Sequence, residues 1–188
     1  MEPRGFSPGI NGTPLATERA MRCPARLSAD CYSAPQACFV TMCTSYRQAL
    51  LIDPAVADNV TDQLLDVSAK NQVDVASYCL MPDHLHVLFV VEDPPANIRA
   101  LIERFKQFTG YSHSREHKCC RLWQPSYFDY TLRADDAVIP TVAYIVNNPV
   151  RAKFVSSPDE WPFWGSSRWS RADLLEAIAT SGPGRRPG

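Results

Sequence analysis

The stretch MPDHLHVLFVV, residues 81–91, constrains this chain more than any other. Residues 87–91 are an unbroken run of β-branched, leucine and aromatic side chains, the composition of a strand buried on both faces rather than of a helix. His84 and His86 stand at its head with one leucine between them. Strand side chains alternate, so both rings project to the same side, about 7 Å apart along the backbone. A buried polar group without a partner costs about 1–3 kcal/mol, so two imidazoles at the mouth of a core strand need compensation. Bonds to backbone or water would serve. A shared metal ion would also serve, and the i, i+2 pairing on one face favours that two-histidine grip.

At 188 residues the chain fits one domain with appendages. The first thirty-odd residues hold no apolar core of a signal peptide, and no later run approaches a membrane span, so a cytoplasmic protein is expected. Seven cysteines without a CxxC pair suit free thiols in a reducing compartment. His113, His117, Cys119 and Cys120 crowd together and could in principle hold zinc, although adjacent cysteines chelate one ion poorly. The net charge is −1, which gives no global nucleic-acid signature. Locally, Arg99, Arg104, Lys106, Arg115, Lys118 and Arg121 outnumber Glu103 and Glu116. Such a patch can take phosphate in one groove, although a solvated helix face would look the same.

Residues 1–35 are rich in Pro, Gly, Ser and Ala with no sustained period and read as an N-terminal extension without chemistry. Residues 37–45 alternate as a first strand. Asp53-Pro54 reads as an N-cap followed by proline, opening a helix to about residue 70 with Val56, Val60, Leu64 and Val67 as its buried stripe. Residues 73–79 form a second strand, turning at Met81-Pro82 into the histidine strand. A second helix is expected over 97–111, with Ile98, Leu101, Ile102, Phe105 and Phe108 inward, followed by a polar mobile loop over 110–120. Residues 121–133 read as a turn and a strand, with Tyr127, Asp129 and Thr131 on one side and Phe128, Tyr130 and Leu132 on the other. Asp135 or Asp136 can cap a third helix through Val142 and Ile145, halted at Asn148-Pro149. Pro140 belongs either to its first turn or to a gap in its hydrogen bonding. Residues 161–169 are an aromatic loop, and residues 170–188 are a tail with room for one short helix. Strands and helices alternate without a regular βα rhythm, so the expected class is α+β, an antiparallel central sheet with helices packed on it.

Four stretches in order, MPDHLHVLFVV, LWQPSYFDYTLR, AYIVNNPVRA and EWPFWGSS, resemble the motifs of the REP-associated tyrosine transposases, members of the HUH-endonuclease group of single-strand DNA transposases. The resemblance runs from about residue 39 to 167 and implies an HUH-type, ferredoxin-like transposase domain over 36–169. It implies that His84 and His86 ligate a divalent cation, Mg²⁺ or Mn²⁺, that Asn148 completes the shell, and that Tyr144 is the nucleophile. Asn148 is four residues beyond Tyr144 and so lies on the same helix face. The activity so implied is metal-dependent endonuclease and strand-transferase action through a 5′-phosphotyrosine. Its substrate would be single-stranded or hairpin DNA, handled by a monomer or homodimer that needs no nucleotide cofactor and no membrane.

Within that frame Asp83 either orients a ligand histidine or serves only the turn. Arg99, Arg104 and Lys106 are the expected phosphate contacts. Trp123, Tyr127 or Phe128 could stack unpaired bases. Tyr127 and Tyr130 are rival nucleophiles whose strand context favours a structural role. A DNA-binding protein of the same fold without catalysis, and an unrelated two-histidine hydrolase of small phosphoesters, are the alternatives.

Overall fold

The histidine strand lies at the centre of one antiparallel sheet in the computed structural model, which describes residues 36–91, 96–117, 120–132 and 138–181. The strands are β1 (Gln36–Cys43), β2 (Asp74–Met81), β3 (His84–Val91), β4 (Phe128–Leu132) and β5 (Trp164–Gly165), in the order β4-β1-β3-β2-β5. Being interior and covered on both faces explains why residues 87–91 are apolar without alternation. The short β5 pairs Gly165 with Tyr78. A Cβ at Gly165 would meet the Tyr78 hydroxyl at 2.9 Å, so this approach needs glycine.

The helices divide between the two faces. On one face α1 (Pro54–Lys70) and α2 (Ile98–His117) cover Val40, Met42, Leu85, Val87 and Phe89 with Val56, Leu64, Leu101 and Phe105. On the other, α3 (Val138–Val146) and α5 (Arg171–Ser181) cover Phe39, Ala76 and Leu88 with Val142, Ile145, Leu174 and Ile178. Each such side chain, fully buried, is worth roughly 1.5–3 kcal/mol in transfer free energy. The expected α+β class is therefore the observed one, and the alternation of β4 is as expected, with Tyr127 packed on the first core and Phe128, Tyr130 and Leu132 on the second.

Asp53 caps α1 as expected, its carboxylate accepting from the Ala55 N–H at 2.9 Å. Two other expectations change, and one of the two alternatives for Pro140 is the one observed. The polar segment expected as a loop after residue 110 instead extends α2 to His117, because the buried stripe continues at fourfold spacing through Phe105, Thr109 and His113. Phe108 lies off that stripe and is 47% exposed rather than inward. Pro140 falls in the first turn of α3, where its missing N–H leaves no bond unmade. That helix stops at Val146, and after Asn147 the chain forms α4 (Asn148–Arg151) with Pro149 in its first turn.

The helix allowed for in the tail is present as α5, and its burial of Leu174 and Ile178 against α3 makes it part of the folded unit. The extension at 1–35 and the expected cap at Asp135 or Asp136 lie outside the described residues. Among the described residues no helix is long and apolar enough to cross a membrane.

Candidate active site

A two-residue turn, Pro82-Asp83, joins β2 to β3 and sets Asp83 immediately before the histidine pair. The turn is fastened to the chain after β1: the Thr44 N–H and hydroxyl both donate to the Asp83 carbonyl, at 2.9 and 3.0 Å, and the Leu51 N–H donates to that of Pro82 at 3.0 Å. In the sheet Thr41 is the cross-strand partner of His86, and Cys43 that of His84. Both imidazoles lie on the face covered by α3, as the alternation with Leu88 requires.

The two rings are held by their Nδ1 atoms. His84 Nδ1 lies 2.6 Å from Asp83 Oδ1, and His86 Nδ1 lies 2.8 Å from Thr41 Oγ1. The two Nε2 atoms face each other at 3.1 Å; when both rings carry their proton on Nδ1, both Nε2 lone pairs are turned to that gap. Two lone pairs at that distance repel unless a cation lies between them. Two imidazole nitrogens converging on one gap are a donor set that suits a divalent cation. The residues therefore fit a divalent ion.

Tyr144 approaches from α3. Its ring is 7% exposed, 5.8 Å from that of His86 and 6.0 Å from that of Phe39, edge-on to both. Phe39 also stacks on His86 at 5.4 Å, so strand and helix grip the imidazole from two sides. The Asn148 amide Nδ2 donates to the Tyr144 carbonyl at 3.3 Å, a bond that uses the nitrogen end of the amide.

A family model, "Transposase IS200 like", matches residues 36–148, more than half of the chain. The chain belongs to the IS200-like transposases. Among individual relatives, the ISDra2 transposase TnpA of Deinococcus radiodurans is 33% identical over 91 residues, covering 45% of this chain and 64% of that protein. The REP-associated tyrosine transposase of Escherichia coli K12 is 23% identical over 103 residues, covering 53% and 58%. The chain thus spans about three fifths of the length of the curated relatives it matches. A solved REP-associated tyrosine transposase bound to a REP hairpin has the same fold, with a TM-score of 0.65, 17% identity, and coverage of 89% of this chain and 99% of that one.

In this member of the IS200-like family the structure brings His84, His86, Asp83 and Tyr144 together, ties Asn148 to the Tyr144 carbonyl, and puts the basic candidates elsewhere. Arg99, Arg104 and Lys106 belong to α2, across the sheet from the histidines. Arg99 Nε pairs with Glu103 at 3.0 Å. Lys106 Nζ donates to the carbonyls of Gln124, Pro125 and Ser126 at 2.6, 3.2 and 3.3 Å, and lies 5.7 Å from the Tyr127 ring centre. It works as a strap on the segment before β4.

Trp123 is no stacking platform: it is 6% exposed and its indole N–H donates to Thr109 Oγ1 at 2.8 Å. Tyr127 and Phe128 are likewise partly buried against the two cores. The rival nucleophile Tyr130 also packs into the second core, but the ring contacting His86 there is that of Tyr144. The rings of His113 and His117 lie 4.5 Å apart, tilted at 31°, with Cys120 Sγ 3.8 Å from His113 Nε2. Among the described residues no three His, Cys, Asp or Glu side chains form a metal site, and Cys119 lies outside them.

Three further residues join the site, two of them outside the sequence motifs and the third within AYIVNNPVRA. Thr41 was legible in principle, as an inward position on the neighbouring strand. Arg47 pairs with Asp83 at 3.3 Å from a turn in which Tyr46 and Arg47 both adopt positive φ, 53° and 57°; no sequence pattern signals that turn. The hydrogen bond to His84 holds the Asp83 carboxyl below its ordinary range against the opposing effect of burial, with the charges of His84 and Arg47 helping. The third, Arg151, lies with its guanidinium carbon 4.4 Å from the Tyr144 ring centre.

Proposed function

We propose that this chain is a metal-dependent single-strand DNA endonuclease and strand-transferase, with Tyr144 as its nucleophile and hairpin or palindromic repeat DNA as its substrate. The observation that carries the proposal is the pair of Nε2 atoms 3.1 Å apart beside the ring of Tyr144. The solved relative bound to a REP hairpin supports the choice of DNA.

His84, His86 and Asn148 would hold Mg²⁺ or Mn²⁺, which supplies polarisation of the scissile phosphodiester. Asp83 would hold His84 with its proton on Nδ1 and Nε2 inward, and Thr41 Oγ1 would accept from His86 Nδ1–H in that same state. The Tyr144 oxygen attacks phosphorus, its proton passing to solvent or a neighbouring base, and a 5′-phosphotyrosine forms as the 3′-oxygen leaves and takes up a proton. The ester bond is exchanged rather than hydrolysed, so rejoining needs no nucleotide.

The test is covalent capture. Incubated with labelled hairpin oligonucleotides carrying single-stranded flanks and Mn²⁺, the chain is expected to give an adduct that survives denaturing electrophoresis. Tyr144→Phe is expected to remove it completely. Adducts persisting in that variant refute the nucleophile. Salt-sensitive hairpin binding without adducts at any Mg²⁺ or Mn²⁺ concentration would indicate a binding protein of the same fold.

A further inference from the structure

The cations read from the sequence as phosphate contacts lie across the sheet from the histidines, on α2. On the histidine face, Arg47 is committed to Asp83 and to Cys43 Sγ, each at 3.3 Å. Arg151 differs. It is exposed, its backbone N–H is fixed by the Asn147 carbonyl at 2.9 Å, and among the described residues it makes no ion pair. Its guanidinium lies over the Tyr144 ring at 4.4 Å.

A guanidinium over an aromatic ring spends its face on the π-cloud and keeps its N–H donors at the rim, in the fork that matches two phosphate oxygens. Tyr144 is seven residues before Arg151, and its ring in turn lies 5.8 Å from that of His86. An anion on the rim of this guanidinium is therefore next to the phenol and near the imidazole pair.

We propose that Arg151 is an anion clamp that receives non-bridging oxygens of the backbone phosphate to be attacked by Tyr144. The proposal rests on the nucleophile reading above for its place in the reaction, but the clamp binds phosphate whether or not Tyr144 reacts. Tethering the phosphate to a group that itself lies on the nucleophile restricts the relative motion of attacking oxygen and phosphorus, the source of the gain in an oriented encounter. A lysine would supply the charge without the plane or the fork.

The probe is inorganic phosphate, titrated into the full chain with Mg²⁺ present and followed by ³¹P NMR and calorimetry. Arg151→Met keeps the apolar stem on the ring and removes the donors; it is expected to bind phosphate about ten-fold more weakly or worse, the loss typical of a charged hydrogen bond. Arg151→Lys is expected to fall between the Met variant and the native chain. Tyr144→Phe, which keeps a ring under the guanidinium, is expected to bind phosphate as the native chain does.

Unfolding curves of each variant separate loss of the clamp from loss of the fold. Equal phosphate binding by the native chain and the Met variant, or native binding by the Lys variant, overturns the clamp. A failure of the nucleophile reading shows differently, as absent DNA adducts with phosphate binding still dependent on Arg151.

Discussion

A single hydroxyl holds the buried imidazole in place. Thr41 Oγ1 lies 2.8 Å from His86 Nδ1, and the ring presents its Nε2 to His84 at 3.1 Å. Thr41→Val keeps the branched shape and removes the partner; the expected result is a 10–100-fold loss of Mn²⁺ affinity by titration calorimetry, the usual cost of losing such a supporting bond. A second histidine sets a pH limit on the fold. His113 is 5% exposed, with Nδ1 unpartnered among the described residues. Burial first and the neighbouring His117 second hold its pKa below the ordinary 6.5, against the upward pull of Glu116 and Asp53.

The unfolded chain accepts that proton more readily than the folded one. Stability from this group is thus complete above about pH 6.5 and lost as pH falls from there through the lowered folded pKa. Melting temperatures measured from pH 8 to 5 are expected to decline at the acid end, and to decline less in His113→Gln. At this scale the sequence pointed to the residues that the structure gathers, because His84, His86 and Tyr144 sit in recognisable strings. It did not point to Arg47, which lies in no such string, or to the contact of Arg151 with the Tyr144 ring, which arises only where a helix end folds back on another element.

Among the elements, α2 shows how composition misleads. Its last two turns are polar enough to read as a loop, yet Thr109 and His113 are buried and continue the stripe. Its basic residues suggested DNA contact, yet Lys106 is engaged with three successive carbonyls of the segment leading to β4. Lys106→Met is expected to cost about 1–3 kcal/mol in denaturant unfolding, the range for hydrogen bonds from a charged donor. Its affinity for hairpin DNA is expected to stay native, and a large loss there would return Lys106 to the DNA surface. β1, β2, β3 and α1 were legible because their periods and caps are local signals. The extent of α2 and the docking of α5 were not, since both depend on which surface is left for them to cover.

Across the whole molecule, the sheet separates two cores. The α1/α2 face is closed by aliphatic and aromatic packing, and the α3/α5 face carries His86 and Tyr144. The antiparallel class was legible from the lack of a regular βα rhythm, whereas the assignment of each helix to a face was not, because both faces accept the same apolar residues. The contact between His86 and Tyr144 is made within one chain, 5.8 Å from ring to ring. A mixture of His86→Ala and Tyr144→Phe proteins is therefore expected to yield no covalent DNA adduct at any ratio. Adduct appearing on mixing would mean that helices are exchanged between copies. If the proposed chemistry holds, two copies each crippled in a different half would not lend each other the missing tool, and cutting would rise in simple proportion to concentration.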